Sequence, residues 1–528
     1  MTPRSTLFKK IRSAISLLLV FMLALGMCAC SQNAGNNTAE SSTSATGGRL
    51  RIGYYIPAQL DPSIGWQNMN LRAFGVIQTL LWIDQDQSIQ YELAEDMRME
   101  SPTVAIIKLR PNVKFHDGTD LDATDVVYSM TRVLSPENTR HAEFSAIEKV
   151  EALDTLTVRI TTRQPIAALR AYLTDPVFSI IPDGYNDFSN TVVGTGPFVF
   201  TSWIPGAAVT VDRFDDYWDG VPLLAGADIF QINDDLTKTY QLLNGEIDIA
   251  YGSVVQTELD AVRNDPNLEI IPRIGEKRIL LINTRIAPFD NKEARQALGY
   301  AINKGELVNL VLGAEGGTPA TGDFFMTNSQ WAATGINRHD QDIEKALELF
   351  AEAGVTDTDA DGFLDYMGSP IVIDLITYDV SGFDYPAQII REQLQAIGLQ
   401  VNLVILGYSV AQERFSTGDF GLAFLDISYF DGEPSFSMTY FYGKEGIANL
   451  RGGYQNQEVW DLLEKGLTEL DEAKRKAIYD SISRIVLDDM PVIYLYYITE
   501  QRGVNRRVGG YINYPNETLL TKSVFLKE

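Results

Sequence analysis

Two apolar runs rich in β-branched residues, Ile371–Tyr378 and Leu399–Leu406, bracket a helical segment. That alternation constrains the chain more than any other feature in it. It begins at the strand-like Arg49–Pro57 and continues almost to the C-terminus. "TVAIIKL" and "TLTVRITT" are strand-like, and "GPFVFTSW" with "AAVTVDRF" predicts a hairpin. Asp290 with Glu293 makes an acidic capping box ahead of a helix whose Ala294, Ala297, Leu298, Ala301 and Ile302 share one face. A later helix, "EAKRKAIYDSISRIVLDD", puts Ile478, Ile482, Ile485 and Val486 on one side and stops before Pro491. There is no short repeat and no heptad. The class is mixed α/β with several lobes. At 528 residues the chain exceeds one ordinary core and suggests about three domains.

The N-terminus has the pattern of an export signal. Arg4, Lys9, Lys10 and Arg12 form a positive segment, and Ala14–Met27 is an apolar run shorter than the roughly 20 residues of a spanning helix. Both cysteines, Cys28 and Cys30, follow it, so a disulfide framework is absent. Cys30 sits after the small Ala29 and before an abrupt change to polar residues, as in a bacterial lipobox, although Met27 and Cys28 fit that pattern poorly. Residues 1–29 are expected to be a lipoprotein signal peptide, with Cys30 lipidated in preference to Cys28. An uncleaved anchor and a fully secreted form are the alternatives. Residues 30–48 lack bulky apolar side chains and predict a flexible tether.

Charge excludes some partners. Without residues 1–29, 39 basic residues face 70 acidic ones, a net charge of −31. Such a surface repels nucleic acid and anionic lipid, so membrane contact is expected through the lipid anchor only. Aromatics at 10% suit cores and also pockets that grip organic ligands. Catalytic signatures are missing: no Walker loop, GxGxxG, GxSxG or HExxH occurs, and the histidines are His116, His141 and His339 alone. An enzyme would have to run on carboxylates, and two acids about 5–9 Å apart in a cleft would be its mark. No enzymatic activity and no required cofactor are expected.

Two acidic stretches invite a metal. Asp357, Asp359, Asp361 and Asp365 occupy positions 1, 3, 5 and 9 of a calcium loop whose position 12 holds Gly368 instead of the bidentate glutamate. A weak structural calcium site and a polar turn are both open readings. The second stretch, "RPNVKFHDGTDLDATDVVYSM", clusters His116, Asp117, Asp120, Asp122 and Asp125. Here a strand enters a turn at Gly118, Asp122 caps the next helix, and Asp125 completes the box. Val126, Val127, Met130 and Val133 form the buried side, and only His116 and Asp120 are left unexplained.

That stretch also carries a resemblance. "LRPNVKFHDGTDLDATDVVYSMTRV" is similar to the signature of extracytoplasmic solute-binding proteins of the peptide/nickel class, the oligopeptide- and dipeptide-binding components of ABC importers. Further blocks follow in that family's order: "GTGPFVF", "RFDDYWDGVP", "LLNGEIDIAYG" and "LLINTRIAPFDNKEARQALGYAINKGELV". The resemblance spans Arg49 to nearly the C-terminus. Departures at Glu293–Ala294 and at Ile302–Lys304 fall on framework positions. A third is functional: peptide binders carry an aromatic stretch like G-W-x-A-D-Y-x-D-P, and the counterpart here is "FLDISYFDGEP". The position that pairs with a peptide's amino group falls on Phe430 or Asp431.

The resemblance implies a periplasmic-binding-protein-like (Venus-flytrap) two-lobe fold with an extra domain in the N-terminal lobe. The expected partition is 49–80, 189–284 and 498–528 for the main domain of lobe 1, 81–188 for its extra domain, and 285–497 for lobe 2. Lobe closure captures an extracellular solute, a peptide first of all, and a permease receives it. Gly65, Trp66 and Gln67 are placed on the first wall of the cleft, and Tyr378 with Ser428, Tyr429, Phe430 and Asp431 on the second. Metal chelates, opines and sugars are rival solutes, a ligand-presenting sensor is a rival role, and a carboxylate hydrolase is the remaining class. The chain is expected to be a monomer, exported and lipid-anchored to the outer face of the bacterial cytoplasmic membrane or periplasmic, with the permease subunits as partners.

Overall fold

The computed structural model describes residues 47–65, 68–252, 254–313, 315–326, 329–336, 339–379, 382–427 and 433–527. One sheet of 11 strands organises them. In chain order these are β1 (Arg49–Tyr54), β2 (Phe198–Ile204), β3 (Ala208–Arg213), β4 (Gly226–Gln231), β5 (Ile249–Ala250) and β6 (Leu268–Ile282). They continue with β7 (Gly317–Pro319), β8 (Val372–Tyr378), β9 (Gln400–Leu406), β10 (Leu422–Ile427) and β11 (Val492–Asn505). Across the sheet the order is β9-β8-β10-β6-β11-β5-β1-β4-β3-β2, with β7 laid along β11.

The predicted hairpin is β2–β3, antiparallel through Phe198–Arg213. Two parallel sets lie on either side of the middle: β1 pairs with β4 and β5, and β8 pairs with β9 and β10. Between them run β6 and β11, antiparallel partners of 15 and 14 residues. Strands average about 5–6 residues, so this pair serves both halves of the sheet. Residues Leu268–Ile274 of β6 pair with Thr499–Asn505, where β5 flanks β11, and Lys277–Leu281 pair with Val492–Tyr497, where β10 flanks β6. Ile279–Ile282 are fully buried, as their unbroken apolar run requires of a strand covered on both faces. At the middle of the pair the register slips twice. β6 carries one extra residue between Ile274 and Lys277, and β11 carries one extra opposite Arg278–Ile279. Such bulges bend a strand and raise its twist.

Apolar side chains gather in separate cores. One joins β1, β4 and β5 to Leu71–Ile77 and the C-terminal Leu519, Leu520 and Val524. Another, much larger, runs from Ile279 to Tyr497 around β8 and β10. A third draws its buried residues from between Leu80 and Ile180. The third surrounds a four-stranded antiparallel sheet in the order Ala94–Ser101, Val104–Leu109, Thr157–Thr162, Ile147–Asp154. Its helix is α1 (Ala123–Leu134), with a full capping box. Asp122 accepts from Thr124 N at 2.6 Å, and Asp125 accepts from Asp122 N at 2.7 Å. Val126, Met130 and Val133 are fully buried on the predicted side, while Val127 is half-buried at its edge.

The other members of that acidic stretch have structural roles too. Asp117 accepts from the backbone and hydroxyl of Thr119, and Gly118 takes the left-handed conformation (φ 87°) that the turn needs. His116 is a clip. Its Nε2 lies 3.0 Å from Gly196 O and its Nδ1 accepts from Gly194 N at 3.3 Å, tying the turn to the segment ahead of β2. Loss of hydration there pushes the imidazole pKa down to about 4, so it is neutral at ordinary pH. Asp120 forms a backbone bridge with Lys114.

The helices of the large core include α2 (Lys292–Ala301), α3 (Asp384–Gln395), α4 (Tyr408–Thr417), α5 (Gln457–Thr468) and α6 (Glu472–Asp489). The start of α2 corrects the sequence expectation by one residue. Asn291, not Asp290, is the N-cap: its side chain accepts from Ala294 N at 3.1 Å, and its carbonyl accepts the first helical bond, from Arg295 N. α6 ends at Met490 in the left-handed conformation, just before Pro491. Its Ile482 and Val486 are buried, whereas Ile478 and Ile485 pack half-exposed at the margin.

Candidate ligand-binding site

Ligands of open sheets with parallel strands bind in the crevice outside the carboxyl ends of those strands. This sheet has two such sets, and the register makes their crevices face each other. Ala250, the last residue of β5, pairs with Gly503 of β11. Ile427, the last of β10, pairs with Lys277 of β6, and Lys277 pairs with Tyr497. The carboxyl ends therefore approach the same short stretch of β11, one from Gly503 downward and the other from Tyr497 upward. The extra residue of β6 lies in that stretch.

The first wall is built from the ends of β1 and β5. Tyr54 closes β1 and Tyr55 follows it, and both rings contact Tyr251 just beyond β5, at 4.0 and 5.8 Å between centroids. Lys238 donates to Tyr251 O at 2.8 Å, pairs with Asp235 at 2.7 Å and lies 5.2 Å from the Tyr55 ring centre. Below them Arg502 stacks 4.6 Å over Tyr251 and donates to Tyr511 Oη and Glu500 Oε1, at 2.8 and 2.7 Å. Arg273 takes the other oxygen of Glu500 at 2.7 Å. Burial alone would raise the Glu500 pKa, but Arg502 and Arg273 outweigh it and hold the carboxyl below its usual range.

The second wall follows from β8, β10 and the entry of β6. Tyr378, at the end of β8, stacks on Tyr408 at 5.3 Å, and its hydroxyl accepts from Gln412 Nε2 at 3.0 Å. Burial pushes the Tyr378 hydroxyl pKa up, with the charge of Asp426 adding to it. Phe383 packs edge-on against Tyr378 at 5.1 Å and covers the face of Arg278, whose guanidinium lies 4.4 Å from the ring centre. Arg278 of β6 stands directly opposite Asp426 of β10 on one side and Tyr496 of β11 on the other. One terminal nitrogen of Arg278 donates to Glu276 at 2.8 Å. Its Nε is enclosed and has no partner among the described residues. Asp426 is solvent-exposed. Even so, loss of hydration raises its pKa, opposed by the charge of Arg278 and helped by that of Glu276.

Comparison with known proteins decides the family. Residues 88–449 match the model for bacterial extracellular solute-binding proteins, family 5. The chain belongs to that family. As a family 5 protein it is the extracytoplasmic solute-binding component of an ABC importer. It is 28% identical over 440 residues to the glutathione-binding protein of Pectobacterium atrosepticum, covering 79% of this chain and 82% of that one. In structure it is similar to the ABC-transporter substrate-binding protein CtaP of Listeria monocytogenes, with a TM-score of 0.80 and 23% identity, covering 92% of this chain and 100% of the other. It is also similar to the oligopeptide-binding protein AppA of Bacillus subtilis, solved with a nonapeptide, with a TM-score of 0.72 and 23% identity, covering 92% and 99%. The two-lobe α/β fold implied by the sequence is the fold of these proteins.

For this family 5 protein, the residues picked from sequence fall unevenly. Tyr378 is buried at the carboxyl end of β8. Gly65 ends the turn Asp61–Gly65 in the left-handed conformation (φ 62°), with nothing within 4 Å of a Cβ there. That turn is held by Arg132 of α1, 2.5 Å from Asp61, and by Asn138, whose amide donates to Ser63 O at 2.8 Å. Trp66, Gln67, Ser428, Tyr429, Phe430, Asp431 and Cys30 lie outside the described residues. Arg278, Glu276, Asp426 and Tyr251 were missed. Their signal in the sequence is a charge at the end of an otherwise apolar strand, in "EKRILLIN" and "LAFLDI".

The calcium-like loop is only partly assembled. Asp357, Asp359 and Asp361 bring carboxylate oxygens within 4.8 Å of one another and are exposed. Asp365 does not join them, which corrects the four-ligand expectation: Thr358 donates its N–H at 2.9 Å and its hydroxyl to that carboxylate. The loop leads into the amino end of β8, away from the crevice at its carboxyl end.

Proposed function

We propose that this protein captures peptides between two lobes and delivers them to the permease of an ABC importer. The observation that carries the reading is the facing of two carboxyl-end crevices, one walled by Tyr54, Tyr55 and Tyr251 and one by Tyr378, Phe383 and Tyr408, across a bulged pair of crossover strands. Aromatic walls grip side chains of varied shape, and strand ends offer backbone groups to an extended ligand. The likeness to a nonapeptide-binding protein and to glutathione-binding relatives supports a peptide over a sugar or a metal chelate.

In this reading residues 49–80, 189–284 and 498–528 form the main domain of lobe 1, residues 81–188 its extra domain, and residues 285–497 lobe 2. The bulges of β6 and β11 are where the lobes turn, and solute shifts the hinge toward the closed state by binding that state better. The chain acts as a monomer held outside the membrane by a lipid on Cys30. No cofactor enters the proposal: calcium at Asp357, Asp359 and Asp361 would brace a loop and would not touch the solute.

The test is native mass spectrometry of the protein purified gently from its host. A ladder of co-purifying peptides is expected. A single non-peptide compound would overturn the peptide assignment and leave capture for an ABC importer standing.

A further inference from the structure

We propose that Asp426 and Arg278 together hold an α-amino-acid head group of the solute, an ammonium and a carboxylate on one carbon. The proposal rests on the peptide-capture reading and narrows its substrate class. Solutes with such a head are free amino acids and peptides linked through a side chain, such as γ-glutamyl peptides. An ordinary α-linked peptide has used its first carboxyl in an amide and offers only the ammonium.

The argument begins with register. Arg278 and Asp426 are direct cross-strand partners, so their side chains leave the same face with Cβ atoms about 5 Å apart. Opposite charges so placed ordinarily pair, yet no ion pair joins these two among the described residues, and Arg278 turns instead to Glu276. Each partner keeps spare capacity. The Asp426 carboxylate is exposed, and no other described residue donates a hydrogen bond to it. The Arg278 side chain is only 7% exposed, and among the described residues only its Nη1 has a hydrogen-bond partner, which leaves the Nε–Nη2 edge, with Nε enclosed, unspent. That edge is the one a carboxylate engages with two parallel hydrogen bonds. Phe383 covers the guanidinium face, so approach is confined to the plane of the group.

The first wall gives the contrast that makes this specific. Arg502 also has an enclosed Nε without a partner among the described residues, but both its terminal nitrogens are bonded, to Tyr511 and to Glu500. On the second wall, by contrast, an acid and a base stand side by side with donors and acceptors unspent among the described residues. A carboxylate there meets Arg278 while its neighbouring ammonium meets Asp426, and each charge is answered by the other end of one residue.

The test is calorimetric titration of the purified protein with γ-Glu-Ala-Gly, its α-linked isomer, and the N-acetylated γ-linked form. The wild type is expected to prefer the γ-linked tripeptide. N-acetylation and Asp426→Asn should each weaken it roughly ten- to hundredfold, the range for a hydrogen-bonded charge, and acetylation should cost Asp426→Asn nothing further. Arg278→Lys keeps the buried charge but loses the planar edge, so it should weaken the γ-linked tripeptide and spare the α-linked one. Thermal unfolding of both variants confirms that they are folded. Equal binding of the two isomers, or indifference to acetylation, overturns the head-group assignment while peptide capture stands. If the wild type binds neither tripeptide nor a mixture of tri- to pentapeptides, peptide capture falls and this assignment with it.

Discussion

The two walls of the cleft use the same chemistry to opposite ends. On the first, Glu500 is clasped by Arg273 and Arg502, Arg502 is stacked on Tyr251, and Tyr54 donates to Glu517 at 3.3 Å. Every charge there is answered from within the chain. On the second wall, among the described residues, Arg278 hydrogen-bonds only Glu276, and Asp426 forms no ion pair. A satisfied network fixes a scaffold, because losing any member leaves the others buried and unpaired. An unsatisfied one costs stability until something arrives to satisfy it, which is how binding sites differ from cores.

The largest effect expected from this contrast is on folding. Glu500→Gln removes the carboxylate between two arginines, one of them, Arg502, with a side chain 0% exposed. Breaking a buried pair from one side typically costs about 3–5 kcal/mol. Urea unfolding followed by circular dichroism should show a loss of that order. A change under about 1 kcal/mol would mean that the first wall is as loosely bound as the second.

Acid should separate the walls next. The pKa of Asp426 is raised, so it takes up its proton at a higher pH than an ordinary aspartate. A neutral carboxyl does not attract an ammonium, so affinity for an amine-bearing solute falls as pH drops through that raised value. Glu500 has the opposite shift. Its stabilising contribution is present above the ordinary glutamate pKa and is lost only as pH falls through its lowered folded value. Acidification should therefore empty the cleft before it loosens the fold. Tryptophan fluorescence for unfolding and calorimetry for binding, run over the same pH series, read the two midpoints. Coincident midpoints would erase the distinction.

A smaller difference is expected at Tyr378. Tyr378→Phe keeps the stack on Tyr408 and loses the hydrogen bond from Gln412, worth about 1 kcal/mol. The stability change should match that figure. A larger loss of affinity than of stability would show that the hydroxyl touches solute.

Much of the frame was legible because it is written in neighbouring residues. The box at Asp122 and Asp125, the turn at Gly118, the hairpin of β2 and β3, and the stop at Pro491 each depend on residues close in the chain. Local spacing is all that a single sequence displays directly. The cap of α2 was missed by one residue because Asp290 and Asn291 both suit a cap, and only the point where the helical ladder starts, with Arg295 N bonded to Asn291 O, decides between them. The cleft is a different matter. Arg278 and Asp426 become neighbours only through the pairing of β6 with β10, and nothing along the chain announces that register. Family resemblance pointed to Ser428–Asp431, two to five positions beyond Asp426 and outside the described residues.

Glu276 gives the smallest predicted effect and the finest test. Its side chain is 48% exposed, and its pair with Arg278 sits at the rim of the second wall. Exposed pairs contribute about 0–1 kcal/mol, so Glu276→Gln should leave the unfolding midpoint nearly unchanged. Binding should move the other way from Asp426→Asn. With Glu276 neutral, Arg278 keeps its full charge for the solute, and a negative group near the incoming carboxylate is gone. Affinity for the γ-linked tripeptide should rise by about two- to fivefold, an effect within the span of a rim charge. The gain should shrink with added salt, since both the pair and the approach are partly in water. Weaker binding in this variant would mean that Glu276 aims the guanidinium instead of competing for it, and the second wall would then be as self-supporting as the first.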